Sequence, residues 1–160
     1  MLHFIVDGYN LINKIDSLKK TSLKAKREAL LRLLADYKVK LSSRNKITVV
    51  FDGKSEVVHP AIKNPHLNII FSKDQDADSL IKAMIDGSEN SKSLVIVTND
   101  RDIIYFAKAR NVKHKNTEDF LAQIRRKINK SGQDDSFKLD FKQAYKINEE
   151  LREIWFKKFP

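Results

Sequence analysis

Short, mostly apolar runs separated by helix-spaced segments constrain this chain more than any other feature. Phe4-Ile5-Val6, Ile47-Thr48-Val49-Val50-Phe51, Leu67-Asn68-Ile69-Ile70-Phe71 and Leu94-Val95-Ile96-Val97 are rich in β-branched and aromatic side chains, and Val112 opens a shorter run. Runs of this length and make-up read as strands buried on both faces. Between them, Leu23, Leu30, Leu34, Tyr37 and Leu41 recur at helical spacing. They predict an amphipathic helix over Leu23–Leu41, with Thr21-Ser22 as its N-cap. Ala77, Leu80, Ile81, Met84 and Ile85 predict a second helix, stopped at Gly87. Ile103, Ile104, Phe106 and Ala107 predict a third, starting near Asn99-Asp100 and closed by Asn111. Asp7-Gly8-Tyr9-Asn10 reads as turn chemistry, and Lys54–Pro65, with two of the three prolines, as loop. The order β-α-β, loop, β-α-β-α-β predicts a three-layer, Rossmann-like α/β domain with a mostly parallel sheet of about five strands.

Two more helices are expected near Glu118–Lys130 and Phe137–Lys158, joined by the polar stretch 131–136. Residues 1–130 form the expected main domain, and residues 131–160 a linker and helix packed on it. The last helix carries Phe141, Ala144, Tyr145, Ile147, Leu151, Ile154 and Trp155 as an apolar stripe. That stripe suits packing on its own domain, or docking of a second copy or a ribonucleoprotein.

In open parallel sheets, ligands bind outside the carboxyl ends of the strands, and the acids of this chain sit at those ends. Asp7 follows the first strand, Asp52 the second and Asp100 the fourth; Asp74, Asp76 and Asp78 lie between the third and its helix. Residues 74–89 hold five acids and one base, Lys82, whereas residues 14–46 hold eleven bases and three acids. Taken singly, each acid has a structural use. Asp7-Gly8 can be a turn, Asp100 a helix N-cap, and Asp76 or Asp78 a group favoured by its helix start. Together they form a cluster of like charges, costly unless a cation neutralises it or some members protonate. Oxygen ligands of this kind select Mg²⁺ or Mn²⁺. Such an ion acidifies a bound water and clamps phosphodiester oxygens.

The net charge of +10 and the pI of about 9.7 favour a polyanionic partner, of which nucleic acid is the commonest. With no Cys, disulfides, thiol catalysis and thiolate zinc sites are excluded. All four glycines are isolated, at 8, 53, 87 and 132, so no Gly-rich phosphate loop is present. His3, His59, His66 and His114 show no ligand spacing and are expected on the surface or in loops. No run is long enough for a membrane span. Met1–Asp7 lacks a basic leader and reads as a first strand, not a signal peptide. A cytoplasmic location and no membrane partner are the matching expectations.

Ile5-Val6-Asp7-Gly8-Tyr9-Asn10-Leu11 resembles the Asp-Gly-Tyr-Asn opening of NYN domains, especially the YacP-like branch of the PIN-like ribonucleases. Val49-Val50-Phe51-Asp52 resembles that branch too. So do Phe71-Ser72-Lys73 with Asp76-Ala77-Asp78-Ser79-Leu80-Ile81, and Val95-Ile96-Val97-Thr98-Asn99-Asp100. These segments follow in register over roughly Met1 to Ile124. The resemblance implies a PIN-like fold over 1–130, a Mg²⁺ or Mn²⁺ cofactor and endonucleolytic cleavage of RNA. It gives Asp7, Asp78 and Asp100 the core acidic positions. Asp76 shares the helix position, and Asp52 is an accessory ligand or supports the ligands. Asn10, Thr98 and Asn99 line the same rim and orient ligands or substrate. Lys19, Lys20, Lys24 and Arg27, in the basic stretch, are the expected grip on the RNA backbone. The RNA class, whether mRNA, rRNA or tRNA, stays open; ribosome association and a homodimer are further expectations. Two rivals remain. One is a non-catalytic RNA-binding module of the same fold, which metal-dependent cleavage would exclude. The other is a receiver-like phosphoacceptor, a class that pairs two acids after the first strand, where this chain has Asp7 alone.

Overall fold

A computed structural model describes residues 1–40, 44–53, 67–73 and 75–130. The elements are β1 (His3–Asp7), α1 (Gly8–Ile12), α2 (Leu23–Lys40), β2 (Lys46–Phe51), β3 (Leu67–Phe71), α3 (Ala77–Asp86), β4 (Leu94–Val97), α4 (Arg101–Ala109), β5 (Lys113–Lys115) and α5 (Thr117–Lys130), with short 3₁₀ turns at Asp16–Leu18 and Ser91–Ser93. The sheet runs β3-β2-β1-β4-β5, and every pairing is parallel. The expected strands and main helices are therefore present. The expected loop at 54–65 and the helix at 137–158 lie outside the described residues, as does Leu41.

The turn expected after β1 is corrected. Asp7-Gly8-Tyr9-Asn10 is not a simple turn but the start of helix α1. The Asp7 side chain caps it, Oδ1 accepting the Asn10 N–H at 3.1 Å. Leu11 and Ile12 bury behind the cap, so the chain gains by continuing the turn into a helix. Five residues are too few for a helical period to show in the sequence. Gly8 is required here for space. A Cβ would sit 2.4 and 2.5 Å from two Phe51 ring carbons and 3.0 Å from the Val50 carbonyl oxygen.

Period-two alternation divides the core between the two faces of the sheet. Phe4, Val6, Ile47, Val49 and Phe51 face α2 and α5, meeting Leu30, Leu34, Tyr37, Phe120 and Ile124. Ile5, Val50 and Ile96 face α3 and α4, meeting Ile81, Ile85, Ile103 and Ala107. Each fully buried aliphatic side chain here contributes about 1.5–3 kcal/mol. The histidine expectation is also corrected for two residues. His3 lies in β1, half-buried, with Nε2 against the Thr48 hydroxyl at 2.8 Å. Burial, then Lys46, lowers its pKa. His114 lies in β5 and donates from Nε2 to the Thr98 carbonyl at 2.9 Å. His59 and His66 lie outside the described residues. Among the described residues, no helix is long and apolar enough to cross a membrane.

Candidate active site

The chain steps outward from β1 to β2 to β3 and then returns to lay β4 on the other side of β1. That reversal leaves a crevice outside the carboxyl ends of β1 and β4, the usual ligand position in such sheets. Val6 pairs with Val97, so Asp7 is level with Thr98. Alternation also puts Asp7 on the Ile5 side of the sheet, the side of α3 and α4. The first turn of α3 carries Asp78, and Asp100 is the N-cap of α4. Three separate elements thus bring Asp7, Asp78 and Asp100 to one rim.

Asp7 is only 8% exposed. Its Oδ1 accepts the Asn10 N–H and its Oδ2 the Thr98 hydroxyl, at 3.1 Å each. Burial still pushes its carboxyl above the usual range, against those hydrogen bonds, and the Asp100 charge adds to the push. The Asp78 carboxyl is also raised, first by burial and then by the charges of Asp100, Asp7 and Asp76. Asp100 uses Oδ1 to accept the N–H groups of Asp102 at 2.8 Å and Ile103 at 3.1 Å. The Asp100 N–H donates to the Thr98 hydroxyl oxygen at 3.0 Å, so Thr98 ties Asp7 to Asp100.

Asparagines extend this network sideways. Asn10 accepts the Asn99 N–H on Oδ1 at 3.3 Å. Asn99 donates to Glu118 at 2.8 Å and accepts the Thr117 N–H at 3.0 Å. Glu118 also meets Lys14 at 2.8 Å, and these contacts, Lys14 first and Asn99 next, hold its carboxyl down to about 2. Glu118 was not among the expected site residues. It stands just beyond the carboxyl end of β5, so the strand-end rule that located the other acids would have found it had it been carried to the fifth strand.

Other expected residues stand differently. Asp52 is exposed, and its Oδ1 accepts the Ser72 hydroxyl at 2.9 Å. Asp76 is exposed and caps α3, accepting the Ser79 N–H at 2.6 Å and the Ser79 hydroxyl at 2.9 Å, which lowers its pKa. Lys19, Lys20 and Lys24 are exposed, and Lys19 pairs with Asp16 at 2.6 Å. Arg27 is half-buried, its Nε donating to the Tyr9 hydroxyl at 2.9 Å.

The donor set can be tested against a divalent cation. Asp7, Asp78 and Asp100 offer only oxygens, the hard donors that Mg²⁺ and Mn²⁺ take, and their mutual repulsion is what a cation relieves. Among the described residues no three acidic or histidine side chains stand close enough to clasp an ion as they are. The donors fit such an ion in kind.

The fold is similar to that of Rae1 (YacP) from Bacillus subtilis, with a TM-score of 0.69 at 23% identity over 99% of this chain and 92% of that one. A point mutant of the same protein gives 0.65 at 23% identity, over 81% and 79%. At that identity the likeness speaks for the fold alone. No curated protein sequence matches. The model of the YacP-like NYN domain matches residues 4–159. That match runs through the whole acidic rim and nearly the whole chain, so the chain belongs to the YacP-like NYN domain family, a group with the PIN-like nuclease fold.

Proposed function

We propose that this protein is a Mg²⁺- or Mn²⁺-dependent endoribonuclease whose Asp7, Asp78 and Asp100 hold the ion. One observation carries the reading. A nearly buried aspartate sits at the switch point of the sheet with its carboxyl pushed up, opposed by two more carboxylates from separate helices. Such an arrangement is costly for the fold, and perturbed carboxylates of this kind gather at functional sites. Family membership points the same way, since NYN and PIN-like domains are generally ribonucleases.

A divalent ion held by Asp7, Asp78 and Asp100 would supply positive charge to the phosphodiester oxygens and Lewis acidity towards water. The chain's own residues set the geometry. Asn10 and Thr98 fix the two oxygens of Asp7, and Thr98 also fixes the backbone that leads into Asp100. The main-chain N–H groups of Asp102 and Ile103, in the first turn of α4, fix Oδ1 of Asp100 in place. Lys19, Lys20 and Lys24, ahead of and at the start of α2, hold RNA phosphates as point charges. The substrate is a cytoplasmic RNA, free or on the ribosome.

Incubation with mixed cellular RNA in Mn²⁺ or EDTA, followed by mapping of new ends, tests this reading. New ends should arise in Mn²⁺ alone and vanish in Asp78→Asn. Full cleavage by Asp78→Asn would sink the assignment. RNA that is bound but never cut would leave a binding module of the same fold.

A further inference from the structure

We propose that Arg27 is a positioning residue: by holding Tyr9 it fixes the first turn of α1, and with it the orientation of Asp7 and Asn10. This rests on the reading that Asp7 belongs to the cleavage site. Arg27 belongs to the basic stretch from which an RNA grip is expected, yet its surroundings are those of a locked group. Nε donates to the Tyr9 hydroxyl at 2.9 Å, and Nη2 donates to the same oxygen. The guanidinium carbon lies 5.6 Å from the Tyr9 ring centroid, 5.9 Å from that of Phe51 and 5.6 Å from that of Phe71. The rings are themselves packed: Tyr9 meets Phe51 edge-on at 5.4 Å, and Phe51 stacks on Phe71 at 5.6 Å.

This box stands directly behind the acidic rim. Tyr9 lies between Gly8, where a Cβ would strike the Phe51 ring, and Asn10, whose N–H is accepted by Asp7. α1 is only one turn and a half long, too short to hold its shape alone. An anchor on Tyr9 from the long helix α2 keeps that turn, and so the Asp7 carboxylate, in register with Thr98. The planar fork of Arg can serve one acceptor with two N–H groups while lying among aromatic rings. The Lys ammonium keeps the charge without that fork.

The experiment uses the full chain with Arg27→Lys, which keeps the charge but loses the fork, and Tyr9→Phe, which keeps the ring but loses the acceptor. In metal-free protein, exchange of the Asn10 amide should quicken on the order of 10-fold in both, while Ile5 and Val49 stay unchanged. In cleavage with Mn²⁺, kcat should fall on the order of 10-fold to 10²-fold with KM within about twofold. The double variant should be no worse than the worse single one. RNA binding in EDTA should keep its salt slope in Arg27→Gln. Unchanged Asn10 exchange in Tyr9→Phe overturns the proposal, even if Arg27→Lys fails to fold. So does a slope that drops by about 0.7–0.9 in Arg27→Gln while Arg27→Lys cleaves like wild type, since that is a phosphate contact. If the wild-type chain never cuts RNA, the functional reading fails, and the Asn10 exchange still decides the role of Arg27.

Discussion

Two neighbouring pairs of strands lead into aspartates on the same edge of the sheet, and burial sets Asp7 of one pair apart from Asp52 and Asp76 of the other. Beyond β1 and β4, Asp7 and Asp100 share Thr98, and Asp7 is nearly buried with its carboxyl pushed up. Beyond β2 and β3, Asp52 is exposed and bonded to Ser72, while Asp76 is exposed, caps α3 and is lowered by Ser79. The second pair does the ordinary work of aspartates at element ends, completing a turn and capping a helix. Asp7 and Asp100 cap helices as well, so capping alone does not separate the pairs. At Asp7 hydrogen bonds do not cancel the cost of burial, and Asp78 beside it is raised by burial and by its acidic neighbours. Aspartate after a strand marks the edge; on the proposed reading, the strained charge of Asp7 and Asp78 marks the cleavage site.

The sharpest way to break this contrast is to neutralise each acid in turn. Asp7→Asn and Asp78→Asn should lower kcat/KM for RNA cleavage on the order of 10²–10³-fold, the scale of losing several kcal/mol of charge stabilisation in the transition state. Asp52→Asn and Asp76→Asn should lose less than about tenfold. Initial rates in Mn²⁺, with circular dichroism to check the fold, would decide. An Asp52→Asn enzyme as impaired as Asp7→Asn would erase the distinction between the strand ends.

The glycines that follow the two strands allow a comparison of stability. Gly8→Ala drives a methyl into the Phe51 ring and the Val50 carbonyl, and should cost about 1–3 kcal/mol. A methyl on Gly53 would meet nothing within 4 Å, but the backbone there holds φ +98°, so Gly53→Ala should cost about 1 kcal/mol through backbone strain alone. Urea midpoints of the two variants give the ordering. If Gly53→Ala is the worse of the two, the packing of α1 on β2 is looser than the distances imply.

Much of this was legible in the residues. Buried strands announce themselves by short, mostly apolar runs, and parallel strands place every following loop on one edge, so the rim followed from Asp7, Asp52 and Asp100 alone. What the sequence withheld depended on neighbours distant along the chain. α1 is shorter than a helical period can reveal. Arg27 looks like any charge on an amphipathic helix until Tyr9, Phe51 and Phe71 are brought around it. His3 and His114 took strand positions because Thr48 and the Thr98 carbonyl satisfy them there. Burial, which separates Asp7 from Asp52, is a property of the packed layers and has no local signature.

Capping predicts a smaller effect at the second pair. Asp76 receives both the N–H and the hydroxyl of Ser79. Asp76→Ala should therefore lower the melting temperature by roughly 2–4 °C, the usual scale for a lost N-cap in a chain of this size. Asp76→Asn, which can still accept, should lower it less. A thermal melt in which Asp76→Ala equals wild type would mean that α3 is capped by another group.

The smallest expected effects are also the most direct test of sign, because two acids at the rim are displaced in opposite directions. Asp78 has a folded pKa raised above its ordinary 3.8, so its ionised form opposes folding. That opposition is full at neutral pH, fades as pH falls through the raised value, and is gone below 3.8. In metal-free protein, Asp78→Asn should therefore melt slightly higher than wild type at pH 7, by roughly 1–2 °C after solvent screening, and the gain should vanish in acid. Glu118 behaves the other way. Its carboxyl is lowered from 4.5 to about 2 by Lys14 and Asn99, so its ionised form favours folding above 4.5, and that support is lost as pH falls from 4.5 towards 2. Glu118→Gln should melt lower than wild type at pH 7, and the deficit should close over that acid window. Saturating Mn²⁺ should invert the first difference, because wild type then gains binding energy that Asp78→Asn cannot, while leaving the second in place. Melts at pH 7 and pH 3, with and without Mn²⁺, are enough to see all of these signs. If Asp78→Asn melts below wild type in metal-free buffer at pH 7, the carboxylates at the β1/β4 end are not in net conflict, and the ground for separating them from Asp52 and Asp76 is lost.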